Sequence, residues 1–191
     1  MIEGILTRKN YSLKTKITIK SLISAGLIAV AVILPQLTHL AAGQDGGIKW
    51  LPMYLPVLIG GCILGFKWGL IVGIASPVLS FVITSAMGNP MPALARLPFM
   101  AAELAVFAIV SGSFSPKIAK NGWMAFPAVL LAQLAGRAAF VLLALAFQSV
   151  TQLTATVILN QIQSGLAGLF LQAVTVPFAV MSLNALLNKQ K

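Results

Sequence analysis

The chain has 191 residues, of which 59% are hydrophobic and only 8% are charged, and its mean hydropathy is +0.96. A soluble domain carries about 25% charged residues, so this composition excludes a water-soluble domain and predicts one integral membrane domain. The formal net charge is +10, from 13 basic and 3 acidic residues. Because loops and tails hold most of this charge, we take it as a sign of topology rather than of nucleic-acid binding.

Apolar runs and turn residues predict an all-α membrane protein, a compact bundle of six transmembrane helices behind a basic flank over residues 1–17. The predicted helices cover approximately residues 18–35, 52–66, 68–86, 97–113, 123–148 and 158–187. The first is expected to end at Pro35, followed by a polar loop over 36–51. The second is too short to cross a hydrocarbon core of about 30 Å. It is expected to begin irregularly near Pro52 and Pro56, where backbone lines a cavity.

The basic residues divide unequally between the two faces that six helices define. One face carries ten of them, in residues 1–20, the 66–68 turn, the 117–120 turn and the C-terminus. The other face carries only Lys49 and Arg96. Since cytoplasmic loops are enriched in lysine and arginine, we expect a multi-pass membrane protein with both termini in the cytoplasm.

Small residues recur at four-residue spacing in two places, which favours close helix packing in lipid. They are Gly61, Gly65, Gly69 and Gly73 around the 66–68 turn, and Ser21, Ala25 and Ala29 on the first helix. By itself, the stripe on the first helix favours internal packing over a partner surface.

Catalytic and metal-binding motifs are absent from the sequence. It contains no GxxxxGK[ST], HExxH, CxxC or GxSxG, and its one histidine, His39, lies in a predicted loop. The one cysteine, Cys62, lies in an apolar run and reads as a small core residue. We therefore expect no enzyme activity, no catalytic residue, no metal and no cofactor.

Charged and amide side chains within or beside the spans are the candidate ligand contacts. Glu103 and Arg137 are firmly intramembrane and are expected to face inward, as a structural ion pair or in contact with substrate. Arg96, at the outer mouth of the fourth helix, is a snorkelling residue or a donor to an anionic ligand. Amides gather at the outer ends of helices, including Asn160, Gln161 and Gln163. The expected pocket consists of Gln36, His39, Trp50, Met53, Tyr54, Arg96, Gln133, Arg137, Asn160 and Gln163.

Five segments together carry a family resemblance. They are AGLIA from Ala25 to Ala29, PMYLPVLIGGCILGFKWGLIVG over 52–73, ASPVLSF over 75–81, GNPMP over 88–92 and MAAEL over 100–104. In this combination the chain resembles the substrate-binding S components of bacterial energy-coupling factor (ECF) vitamin transporters. The resemblance covers roughly residues 18–113, while the last two helices match only in length and pattern.

The resemblance implies that the chain binds a vitamin from outside and docks on a membrane coupling subunit and two ATPase subunits, which hydrolyse the ATP. It gives the docking role to the stripe of Ser21, Ala25 and Ala29. The many amides favour cobalamin as substrate, and a small carboxylate such as pantothenate, anchored by Arg96 or Arg137, is the alternative. A self-sufficient secondary transporter and a non-transporting scaffold stay open as other classes.

Overall fold

The computed structural model describes residue 2 and residues 12–147 and 155–189, and the regular structure in these ranges is entirely helical. Most of the basic flank, residues 3–11, and residues 148–154 of the last predicted loop lie outside the described residues. The described helices are α1 (Leu13–Ala42), α2 (Gln44–Trp50), α3 (Tyr54–Leu64), α4 (Phe66–Ala86), α5 (Leu97–Ser113), α6 (Ser115–Lys120), a 3-10 turn (Gly122–Met124), α7 (Ala125–Ala146) and α8 (Ala155–Lys189).

Four of these helices, α1, α4, α7 and α8, are long and apolar enough to cross a membrane, as a multi-pass membrane protein requires. Two others, α3 and α5, are apolar but shorter, at 11 and 17 residues. At 1.5 Å per residue α3 reaches only about 17 Å, so the segment before it has to cover the remaining depth of a span.

The predicted end of the first helix at Pro35 is wrong. Helix α1 continues through a buried Pro35 to Ala42, and the expected loop 36–51 is instead the end of α1 followed by α2. Proline removes one hydrogen bond of a helix, but α1 packs on both α3 and α4, and this packing outweighs the loss. The polar turn expected after residue 113 contains the short helix α6. The other predicted boundaries agree within a few residues.

Helix α5 packs on α3, α4 and α7. Glycines allow the close approach that their spacing predicts. A Cβ on Gly69 would lie 2.9 Å from the Gly61 Cα, and one on Gly73 would lie 2.7 Å from the Leu104 carbonyl oxygen. Gly65, with φ of 86°, turns the chain from α3 into α4, a backbone conformation that favours glycine.

Replacing Gly73 with alanine is expected to lower the free energy of unfolding by about 1–3 kcal/mol, because the new methyl group meets backbone rather than a movable side chain. Thermal unfolding in detergent measures the change. Gly26→Ala is the matched control, since a Cβ there meets nothing within 4 Å and the same gain in helix propensity applies. Equal stability of the two variants would contradict the prediction.

The two ends of the bundle differ in character. At one end, here called the basic end, α6 packs beneath the end of α8, where the Asn184 amide donates to the Ile118 carbonyl at 3.1 Å. Lys67, Lys117 and Lys120 belong to this end. The other end, here called the cavity end, contains α2, the starts of α3, α5 and α8, and the segment 87–96.

Candidate ligand-binding cavity

A cavity of about 400 Å³ lies at the cavity end of the bundle. Its wall is formed mainly by the last turns of α1, the turn between α2 and α3, the segment 87–96 and the start of α8, and α2, α3, α4 and α5 each add one residue. Its lining residues are Pro35, His39, Gly47, Leu51, Pro52, Met53, Tyr54, Ser80, Asn89, Pro90, Met91, Pro92, Ala93, Arg96, Met100 and Gln161. The lining is mainly apolar with a few polar groups, as is usual for sites of small molecules.

The turn between α2 and α3 is irregular, as the short second span predicts. Leu51 ends α2 in the left-handed conformation, with φ of 48°, and Pro52 and Met53 form a turn before α3 begins. Pro56 does not interrupt the helix, because it lies in the first turn of α3, where the missing N–H has no helical partner to lose.

Helix α8 holds this turn in place through Gln172. The Gln172 side-chain amide donates to the carbonyls of Trp50, at 3.1 Å, and Leu51, at 2.8 Å. Gly168, one turn earlier on α8, allows the contact, since a Cβ there would lie 2.5 Å from the Trp50 carbonyl oxygen. Gln172 is 2% exposed and was not among the predicted site residues. Its signal in the sequence is a lone amide one helical turn after a glycine in an apolar span.

The segment 87–96 is held over the cavity by two hydroxyl groups of α4. The backbone N–H of Met91 donates to Thr84 Oγ1 at 2.7 Å, and Ser80 Oγ donates to the Met91 carbonyl at 2.9 Å. Both hydroxyl residues are buried, and the Met91–Pro92 peptide bond is cis. The predicted Pro- and Gly-rich loop therefore forms an ordered wall of the cavity.

A cluster of charged and aromatic groups lies behind this wall. Tyr54 lines the cavity, and its hydroxyl donates to Glu103 Oε2 at 2.5 Å. Arg137 Nη1 lies 3.2 Å from Glu103 Oε1, and the guanidinium carbon lies 5.6 Å from the centre of the Tyr54 ring. Phe107 packs edge-on against the same ring, with ring centres 5.1 Å apart. The cluster joins α3, α5 and α7, and it neutralises the buried Glu103 carboxylate inside the bundle.

The structure brings four of the ten predicted pocket residues to the cavity lining, namely His39, Met53, Tyr54 and Arg96. The His39 ring lies against Gly47 and makes a hydrogen bond between Nδ1 and the Gly43 carbonyl at 3.2 Å. The structure also places five residues on the wall that the sequence analysis did not select for the site, namely Ser80, Asn89, Met91, Met100 and Gln161.

The other predicted pocket residues lie outside the cavity lining. The Gln133 amide donates to the Leu169 carbonyl at 3.0 Å, because α7 packs on α8 there. Arg137 lies behind Tyr54, Gln36 is half-buried away from the cavity, and Trp50 lies on the outer surface of α2 beneath Lys49. Asn160 and Gln163 are exposed, whereas Gln161 between them lines the cavity, because successive helical residues point about 100° apart.

The small-residue stripe of α1 does not pack within the described part of the chain. Ser21, Ala25 and Ala29 are all exposed, and Gly26 beside them has open space around it. The alternative of internal packing for this stripe is therefore wrong.

A comparison of the chain with protein-family models, with curated proteins and with solved structures finds no match. The geometry of the cavity and the topology of the bundle therefore carry the functional proposal.

Proposed function

We propose that the chain is the vitamin-binding subunit of an ATP-driven importer of the ECF type in a bacterial cytoplasmic membrane. The observation that carries the proposal is the cavity of about 400 Å³ at one end of an apolar helical bundle. Small-molecule sites have volumes of roughly 300–1,000 Å³, and transporter sites often lie at interrupted membrane helices, as α2 and α3 are here.

The distribution of charge supports the orientation that an importer needs. In the proposed topology six segments cross the membrane and both termini are cytoplasmic. Lys67, Lys117 and Lys120 at the basic end then face the cytoplasm, as the positive-inside rule favours. The cavity, at the opposite end, opens to the outside. Helix α3 completes its span together with the turn at Leu51–Met53, whose backbone is covered by α8.

The proposed division of labour assigns binding to this chain and ATP hydrolysis to two partner ATPases. A membrane coupling subunit would contact the exposed stripe of Ser21, Ala25 and Ala29, where small side chains allow close helix approach. The chain itself forms no covalent intermediate with the vitamin.

Reconstitution in proteoliposomes tests the proposal. Uptake of a labelled vitamin panel, including cobalamin and pantothenate, is measured for the chain alone and for the chain with an ECF coupling subunit and its two ATPases. Uptake is expected only with the partners and ATP. Gradient-driven uptake by the chain alone would instead make it a secondary transporter. Mass spectrometry of the denatured, purified protein identifies any vitamin that co-purifies, and a scaffold protein would carry none.

Replacing Ala29 with tryptophan is expected to abolish ATP-driven uptake and to leave vitamin binding unchanged. The bulky ring would hold the coupling subunit away from the exposed stripe, which lies on α1 outside the cavity lining. Ala179→Trp, at an exposed position of α8, is the matched control and should retain uptake. If Ala29→Trp transports normally, α1 is not the docking surface.

A further inference from the structure

The cavity carries a positive charge that has no partner among the described residues. Arg96 lies on its wall where the segment 87–96 meets α5, and its side chain is half-buried. Within the described residues its guanidinium makes no hydrogen bond and no ion pair. Among the lining residues that the structure describes there is no aspartate or glutamate. A guanidinium has five N–H donors in a planar fork that matches a carboxylate, so a carboxylate is the group that this wall is suited to bind.

The acid that lies closest to the cavity in the bundle core is already neutralised. Glu103 is fully buried behind Tyr54, with one oxygen accepting the Tyr54 hydroxyl and the other beside Arg137. It therefore supplies no counter-charge to Arg96.

The N-terminal ends of two helices add to the positive charge of Arg96. Helices α3 and α5 both begin at the cavity end, and neither has a side-chain cap at its N-terminus. The N-terminal end of a helix carries a partial positive charge, which favours a nearby anion. This contribution supports Arg96 and does not replace it.

One amide oxygen offers a second contact for the ligand. The Gln161 side chain lines the cavity, and its Oε1 atom is buried without a hydrogen-bond partner among the described residues. A buried acceptor without a partner is unfavourable, so a ligand that donates a hydrogen bond to it gains affinity. Among the described side chains, Asn89 is the other amide on the wall.

The volume favours a small ligand. About 400 Å³ is near the lower end of the range for small-molecule sites, whereas the corrin ring and nucleotide loop of cobalamin need far more space. Three of the amides that favoured cobalamin also lie away from the cavity, since Gln133 is bonded to α8 and Asn160 and Gln163 are exposed.

We propose that the cavity binds a compact organic acid, with its carboxylate on Arg96 and a hydroxyl or amide N–H of the same molecule on Gln161. This inference rests on the proposed function and names its substrate class.

Matched pairs of ligands that differ in the acid group test the inference. The protein is titrated calorimetrically in phosphatidylcholine nanodiscs, whose lipids have no net negative charge to compete for Arg96. The probes are pantothenate with pantothenol, nicotinate with nicotinamide, and cobalamin. At least one acid is expected to bind, and its neutral partner is expected to bind at least about tenfold more weakly.

Two variants test whether Arg96 and Gln161 contact the ligand. Arg96→Gln is expected to weaken binding of that acid roughly tenfold to a hundredfold and to remove its advantage over the neutral partner. Gln161→Leu should weaken both members of the pair equally. Gln163→Leu, two residues away on the exposed surface of α8, is the matched control and should bind as the unaltered protein does.

Tight binding of cobalamin, equal binding of acid and neutral partner, or no binding of any acid would overturn the inference. An acid preference that survives in Arg96→Gln would overturn it as well. Charge-dependent binding of an acid without ATP-driven uptake in the presence of the partner subunits would instead overturn the proposed function and leave this inference standing.

Discussion

Replacing Glu103 with leucine is expected to destabilise the bundle by about 3–5 kcal/mol. The reason is that Arg137 then becomes an unpaired charge in the core, with an exposed side-chain fraction of only 11%. The Tyr54 hydroxyl loses its acceptor at the same time. The measurement is unfolding in mixed micelles with increasing SDS, followed by tryptophan fluorescence.

The double variant Glu103→Leu/Arg137→Leu is the control for this prediction. Removing both charges leaves no unpaired ion, so most of the lost stability is expected to return, as happens when buried ion pairs are replaced by apolar residues. If the single and double variants unfold at the same SDS concentration, the ion pair contributes nothing beyond packing and the prediction fails.

Replacing Gln172 with leucine is expected to cost about 1–3 kcal/mol of stability and to weaken ligand binding by about tenfold or more. The change leaves the Trp50 and Leu51 carbonyls without the donor that holds them against α8. Because Leu51 to Tyr54 form one wall of the cavity, its shape changes with them. Thermal unfolding and calorimetric titration of the ligand measure the two effects.

Gln133→Leu separates stability from binding. It removes a similar hydrogen bond between α7 and α8, from the Gln133 amide to the Leu169 carbonyl, but Gln133 does not line the cavity. It should therefore lose stability and keep ligand affinity. Equal loss of affinity in both glutamine variants would mean that Gln172 acts through general stability rather than through the cavity wall.

The helical character of the protein and the places of close packing could be predicted from the chain alone. Apolar runs indicate membrane helices because every backbone group in lipid has to be bonded internally. Glycines at four-residue spacing, such as Gly69 and Gly73, predict close approach because they lack side chains, and the structure has that approach. Pro35 was misleading, since the local cost of proline in a helix competes with packing that only the assembled bundle provides.

The cavity was less predictable than the fold. The short second span correctly directed attention to Pro52 and Met53. Residue type alone did not separate Gln161, on the wall, from Asn160 and Gln163, on the surface. Their positions depend on the rotation of α8 about its axis, and contacts with α2 and α7 set that rotation. An error of a few residues in a predicted helix boundary leaves the predicted fold unchanged. A shift of one residue along a helix, however, changes the direction of the side chain by about 100°.

Composition and the cost of charge in lipid are enough to predict the class of protein, the unequal distribution of its basic residues and the need of Glu103 for a partner. Helix packing determines which polar groups are used within the fold and which remain available. Gln133, Gln172 and Glu103 bond other parts of the bundle, while Arg96 and Gln161 face the cavity without partners among the described residues. The physical reason is that a hydrogen bond or ion pair needs two groups within about 3 Å, and residues far apart in the chain meet only when the helices pack.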